Sequence, residues 1–298
     1  MTLLASFDGW MATVQAHVEE ALASLLPPLD TEPSRLHEAM RYAVLDGGKR
    51  VRPLLVFAAG GLFGAEPAPL ARAAAAVEMI HAYSLVHDDM PCMDDDALRR
   101  GKPTVHVAYD EATALLVGDA LQAHAFAVLA DAPAVAPAQL LAMLRVLAHG
   151  AGPAGMCGGQ AIDLASVGLR LTLGQLERMH QLKTGAMLHA SVLLGALAGR
   201  DLNAVERGAL GAYSNAIGLA FQVVDDVLDA TADSATLGKT AGKDAAANKP
   251  TYVSILGLEA SKLLAEKLRR AAHDALAPFG EKALRLRELA DLIVQRKA

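Results

Sequence analysis

The stretch Ser84-Leu85-Val86-His87-Asp88-Asp89-Met90-Pro91-Cys92-Met93-Asp94-Asp95-Asp96-Ala97-Leu98-Arg99-Arg100-Gly101 is where an apolar helix must give way to charge. Five aspartates fall within nine positions and are followed at once by a pair of arginines. A second acidic group, Asp225-Asp226-Val227-Leu228-Asp229, lies far downstream, and around it Phe221 to Leu228 is otherwise apolar apart from Gln222. Carboxylates in such settings repel one another and resist desolvation unless cations neutralise them. A lone charge run is more often a solvated face. Two runs that each emerge from an apolar helix argue instead for inward-facing carboxylates. Hard cations suit them: Mg2+ prefers oxygen ligands, takes one or two carboxylates, and completes its shell with water and substrate phosphates. Asp225 and Asp229 are four apart and share a helix face, while Asp226 points about 100° away. Pro91 cannot continue a helix cleanly, so Asp94 reaches back toward Asp88 from a turn. Together the two groups bracket a polyphosphate held by metal.

The rest of the composition points to an all-α chain. Of 298 residues, 53% are hydrophobic and only 4% aromatic, which is enough for a large core in one domain spanning 1–298. Alanine and leucine are strong helix formers, and no β-branched run alternates with polar residues as a strand would. The net charge of −6 argues against a nucleic-acid partner. An anionic substrate therefore needs local arginines, lysines and metal to overcome the overall field. Cys92 and Cys157 show neither metal-ligand spacing nor a disulfide framework, which fits a reducing, cytoplasmic setting. The first residues lack a basic region and apolar core of signal-peptide type. The apolar helix around Ala186 to Gly199 is too short to span a membrane and carries His189, so no membrane span is expected.

Taken in order, Phe7 to Leu26 reads as an amphipathic helix stopped by Pro27-Pro28, and a second helix follows Pro33-Ser34. That helix ends in Asp46-Gly47-Gly48-Lys49-Arg50-Val51-Arg52-Pro53, a tight basic turn able to cradle an anion, with Arg52 placed to fork onto phosphate oxygens. His81 lies two helical turns before Asp88 on nearly the same face. Arg99, Arg100 and Lys102 form a second cationic group. Gln160 and Asp163 are polar residues one turn apart in apolar sequence, and Lys183-Thr184-Gly185 interrupts another helix. Residues from about 230 to 250 are polar and Gly/Lys-rich, with Lys239, Lys243 and Lys249, as in a mobile flap over bound phosphate. Gly238-Lys239-Thr240 is not a P-loop, because the required upstream glycine is Asp233. Arg296-Lys297-Ala298 reads as a solvated tail.

These pieces, in this order, resemble the trans-isoprenyl diphosphate synthases, most closely the bacterial farnesyl diphosphate synthases. The matching motifs are Gly47-Gly48-Lys49-Arg50-Val51-Arg52-Pro53, Asp88/Asp89/Asp94 with Arg99-Arg100-Gly101, Gly159-Gln160-x2-Asp163, Lys183-Thr184-Gly185, and Phe221-Gln222-x2-Asp225-Asp226-x2-Asp229. The resemblance implies a single all-α bundle around a deep apolar pocket, usually as a homodimer. It implies catalysis by Asp88, Asp89, Asp94, Arg99, Lys183, Asp225 and Lys239. Mg2+, as three ions with diphosphate bound, would sit on Asp88, Asp89, Asp94, Asp225 and Asp229. Arg99, Lys183, Thr184, Gln222 and Lys239 would bind the allylic diphosphate, and Lys49, Arg52, His81 and Arg100 isopentenyl diphosphate. The implied reaction is head-to-tail condensation of isopentenyl diphosphate with dimethylallyl or geranyl diphosphate, giving the C15 product and free diphosphate. Tyr83 lies five residues before Asp88, about 7.5 Å along the helix, where a ring would stop the growing chain; Ser84 beside it is small. A C20 synthase is the nearest alternative. A class I terpene cyclase needs no second diphosphate site, against which Lys49, Arg52 and Arg100 speak, and intact acidic motifs speak against a non-catalytic partner subunit.

Overall fold

The computed structural model describes residues 6–45, 47–231 and 250–296. These residues are almost wholly helical, as the composition requires, and they pack as two compact units. The first unit runs to Leu144 and includes Leu194–Arg200; the second comprises Arg145–Leu193 and the residues from Asp201 on.

In the first unit, α1 (Phe7–Leu25) is capped by Ser6, whose hydroxyl accepts from the Gly9 N–H, and buries a stripe of Trp10, Val14, Val18 and Leu22. α2 (Ser34–Val44) and α3 (Val51–Leu62) follow. α4 (Pro67–Asp88) begins with proline at its first turn and is buried on every side: Ala73–Ala76, Met79 and Ile80 are fully covered. A helix so enclosed cannot be amphipathic, which is why its alanine run carries no clear period. A short hairpin, β1 (Leu98–Arg99) with β2 (Lys102–Pro103), leads through α5 (Val105–Ala108) to α6 (Glu111–Ala130), capped by Asp110. α6 packs along α4 at Gly118, where a methyl group would lie 1.9 Å from His87 Nε2. Any larger residue there would have to displace the His87 ring. α7 (Pro137–Ala151) starts in this unit and continues into the next.

The second unit contains α8 (Met156–Ala165), α9 (Leu173–His180) and a π-helical turn at Gln181–Gly185 that continues into α10 (Ala186–Gly199). α11 (Ala204–Thr231) carries the second acidic group, and α12 (Tyr252–Leu256), α13 (Leu258–Ala275) and α14 (Leu284–Gln295) complete the unit. Its core joins Leu176, Met179, Val223, Val224, Tyr252 and Ala265. The Tyr213 hydroxyl ties α11 to α14 by donating to the Leu286 carbonyl at 2.7 Å.

Two sequence expectations need correcting. The π turn widens the helix without ending it, so Leu173–Gly199 runs for 27 residues. With Glu111–Ala130 and Pro137–Ala165, it is long and apolar enough to cross a membrane, judged by length and composition alone. The tail reading of Arg296 also fails, for reasons given below. Most of the expected flap, with Lys239, Lys243 and Lys249, lies outside the described residues.

Candidate active site

The first acidic group is shaped by the end of α4. After Asp88 the chain folds back on itself: the Asp94 N–H donates to the Asp88 carbonyl at 2.9 Å, and the Asp96 N–H to the Asp89 carbonyl at 3.1 Å. Asp95 takes a left-handed conformation, φ 50°, to allow this. The hairpin then delivers Arg99 to Asp89. Arg99 Nε lies 3.0 and 2.8 Å from the two Asp89 oxygens, and Nη2 lies 2.6 Å from Oδ1. Asp89 is buried, whereas Asp88 and Asp94 are half-buried. Burial opposes the charge on Arg99, but the Asp89 hydrogen bonds and the charges of Asp89, Asp88 and Asp94 outweigh it and raise its pKa. The sequence placed Asp89 on metal and Arg99 on phosphate; the structure joins them as a bidentate pair.

The basic turn resolves into residues of different kinds. Arg50, φ 52°, is buried and donates to Glu78 at 2.6 Å, Glu19 at 2.7 Å and the Val44 carbonyl at 2.7 Å. Its guanidinium holds the turn to α1, α2 and α4. Lys49 stays exposed, with its carbonyl held by Gln15 at 3.0 Å, and Arg52 is half-buried. Gly48, φ 91°, lies under Arg100, where a Cβ would stand 2.7 Å from Nη1. The glycines therefore let the Arg100 guanidinium lie on the backbone itself. Burial, then the positive charges of Arg52, Arg100, Arg99 and Arg50, push the His81 pKa well down and leave its ring neutral. Arg52, His81, Arg99 and Arg100 are thus brought together. A cavity of about 240 Å³ borders Gly47, Gly48, Asp89, Arg99 and Arg100.

One helical turn behind this group, Tyr83 is buried against His87, and its hydroxyl accepts from Gln122 Nε2 at 3.3 Å. The Ser84 hydroxyl donates back to the His81 carbonyl at 2.8 Å.

In the second unit, Lys183 Nζ lies 2.5 Å from Asp163 Oδ2, which accounts for the buried Asp163 of the sequence motif. Thr184 Oγ1 donates to Gln222 Oε1 at 3.4 Å, and Gln222 Nε2 to Asp226 Oδ1 at 3.1 Å. Asp226 Oδ2 accepts the Tyr252 N–H at 2.8 Å, so this aspartate fastens α12 to α11. Asp225 and Asp229 share the other face, as their spacing predicted, with Asp229 the more buried.

Sequence reasoning missed Arg296. Its Nη2 donates to Asp225 Oδ1 and to the Phe221 carbonyl, both at 2.7 Å, while its guanidinium lies 3.9 Å over the Phe221 ring. Burial outweighs the Asp225 charge and lowers its pKa. The signal lay in the periodicity of α14: the buried positions 286, 289, 290 and 293 extend by one further step to 296.

Among the described residues no three Asp, Glu, His or Cys groups converge closely enough to hold a metal alone. Each acidic group by itself nevertheless offers donors of the kind Mg2+ takes: Asp88 and Asp94 in the first unit, and Asp225 and Asp229 in the second, present only hard oxygens, and this ion leaves several positions to water and phosphate.

An all-α chain that sets carboxylates beside guanidinium and ammonium groups defines an enzyme class that handles diphosphate esters with metal. The family model for polyprenyl synthetase matches residues 33–278. A "Probable farnesyl diphosphate synthase" of Bradyrhizobium diazoefficiens is 52% identical over 94% of this chain and 85% of its own length. The farnesyl diphosphate synthase of Escherichia coli is 48% identical over 93% of this chain and 94% of its own. A solved structure described as a geranyltransferase from Helicobacter pylori, complexed with magnesium and isoprenyl diphosphate, superposes with a TM-score of 0.84. It is 32% identical and covers 99% of this chain and 98% of its own. The chain belongs to the polyprenyl synthetase family and is a prenyltransferase.

Proposed function

We propose that this prenyltransferase condenses isopentenyl diphosphate head-to-tail with dimethylallyl and then geranyl diphosphate, releasing diphosphate and ending at farnesyl diphosphate. The observation that carries the reading is the gathering of Arg52, Arg99 and Arg100 around a neutral His81, beside the Asp88–Asp94 turn. A chain that ionises one diphosphate ester alone needs no such second cationic group. The matched relatives are named for this product, which supports the same choice.

Asp88, Asp94, Asp225 and Asp229 would hold Mg2+, with Asp89 serving mainly to aim Arg99. When bound, Mg2+ supplies Lewis-acid stabilisation of charge on the leaving diphosphate. Arg99, Lys183, Thr184 and Gln222 bind and orient the allylic diphosphate, and Lys239 would join them. The aspartate partners of Arg99 and Lys183 fix these cations before substrate arrives, so little reorganisation is needed as charge develops. Lys49, Arg52, His81 and Arg100 hold isopentenyl diphosphate. Neutral His81 hydrogen-bonds there without adding another positive charge among the arginines. The allylic cation must meet the alkene before water, so the reaction requires a pocket that excludes solvent. The proton lost from the adduct passes to the released diphosphate. One domain, a cytoplasmic setting, a homodimer and three Mg2+ ions complete the proposal.

The test is product analysis of the purified chain with Mg2+, isopentenyl diphosphate and dimethylallyl diphosphate, with and without chelator. A C15 diphosphate that disappears with chelator is expected. A C20 diphosphate would keep the chemistry and reject the chain length, and metal-dependent binding without turnover would reject catalysis by this chain alone.

A further inference from the structure

The second unit contains another cavity, of about 310 Å³, built from different residues. Arg145 and His149 reach it from α7, Gln181 and Gly185 from the π turn, His189 from α10 and Asn215 from α11. The remainder of its wall is apolar, and among the described residues no carboxylate lines it. In a chain of net charge −6, a cavity edged by a guanidinium, two imidazoles and two amides is a local reversal of sign.

The donors are also uncommitted. The side chains of Arg145, His149, Gln181 and Asn215 make no hydrogen bond or ion pair with another described residue. His189 is fixed on one side only. The Ser214 hydroxyl donates to the Leu210 carbonyl at 2.8 Å, so its oxygen accepts from His189 Nδ1 at 2.6 Å; Nε2 of the neutral ring carries a lone pair and becomes a donor toward the cavity only when the ring takes up a second proton. Burial, then the charges of His149 and Arg207, lower the His189 pKa. A bound anion would offset those neighbouring charges.

The local backbone explains why there is space. The widened π turn shifts the helix face, and such turns recur at functional sites. Gly185 adds no side chain to the wall. The same turn sends Lys183 elsewhere, to Asp163, so among the described residues the cavity uses none of the side chains assigned to catalysis. Apolar walls with a few convergent polar groups, at the lower end of ligand-pocket volumes, match a small ligand with one charged head.

We propose that this cavity binds a small organic phosphate, its head on Arg145, His149 and His189 and a short hydrocarbon portion against the apolar wall. The probe is hexyl phosphate, with inorganic phosphate as the headgroup alone, in the presence of chelator. The readout is the imidazole nitrogen NMR signals of His149 and His189, assigned with H149Q and H189Q. Saturable shifts of both signals are expected, tighter for hexyl phosphate than for inorganic phosphate, and weakened at least tenfold in R145E and R145Q. Prenyl transfer by R145Q should stay near wild type, showing that the fold is intact. Signals that do not move, or that move equally in the Arg145 variants, would overturn the site. Equal affinity for the two probes would overturn the assignment of the apolar wall.

Discussion

Arg50 shows how much of the proposed isopentenyl diphosphate site is structural at the level of single residues. Its charge is buried with Glu78 and partly with Glu19, and removing one member of such a pair leaves the other charge uncompensated. E78Q should therefore lower stability by about 3–5 kcal/mol, read as a shift in the urea midpoint. KM for isopentenyl diphosphate should also rise, because Arg50 fixes the backbone between Lys49 and Arg52. An unchanged midpoint would mean that Glu19 and the Val44 carbonyl suffice. Tyr83 makes a separate prediction. Its hydroxyl is already bonded to Gln122, so the ring does steric work only if its removal opens room. Y83A should extend the product from C15 to C20, seen by chromatography of the dephosphorylated products, while Q122A should leave product length unchanged. A C15 product from Y83A would make Tyr83 a packing residue and move the floor elsewhere. Both residues were visible in the sequence, but their partners were not. Glu78 is one charge in an alanine-rich helix, and nothing local links it to a residue 28 positions earlier.

At the scale of elements, the π turn and α12 meet around one imidazole. His180, the last residue of α9, is buried and stacks on Tyr252 with centroids 5.6 Å apart. Burial, opposed by Asp163 and reinforced by Lys183, brings its pKa down from 6.5 to about 4. The sign follows from proton counting. Between those values the unfolded chain binds a proton that the folded chain refuses, so stability falls as pH drops from about 6.5 toward 4 and levels off below. The full difference is about 3 kcal/mol. Wild-type stability should exceed that of H180Q by more at pH 7 than at pH 4.5, and parallel curves would remove His180 as the cause. The elements themselves were legible where apolar periodicity or a cap marked them, as with Ser6 before α1 and Asp110 before α6. The π turn was visible only as an interruption, since Lys183-Thr184-Gly185 announces polarity in a helix but not an added residue per turn. Asp226 was correctly set apart from Asp225 and Asp229 by its 100° offset. Its use, fastening Tyr252, depends on chain 26 residues away.

For the whole molecule, the acidic motifs revealed the class of chemistry because carboxylates in apolar sequence have few inexpensive explanations. Assembly left a weaker trace. α6 has a mean hydropathy of 1.4 over its most apolar window, yet only 39% of that window is buried within the chain. Leu115 and Leu116 are about half exposed, at 49% and 54%, and Val107 on α5 stands nearby in sequence at 52%. No polar stripe balances them, so the helix gave no amphipathic signal from which a partner could be read. Apolar side chains left in water at this density are what an interface between copies covers. If the proposed homodimer uses this face, L115E with L116E should sediment as a monomer while the wild type sediments as a dimer. A closed two-fold interface uses the same patch of both copies, so each substitution enters twice and four glutamates would lose their water there without a partner. Near-wild-type helicity by circular dichroism would show that the variant has dissociated rather than unfolded. A dimer that survives both charges would place the interface on another face of the chain.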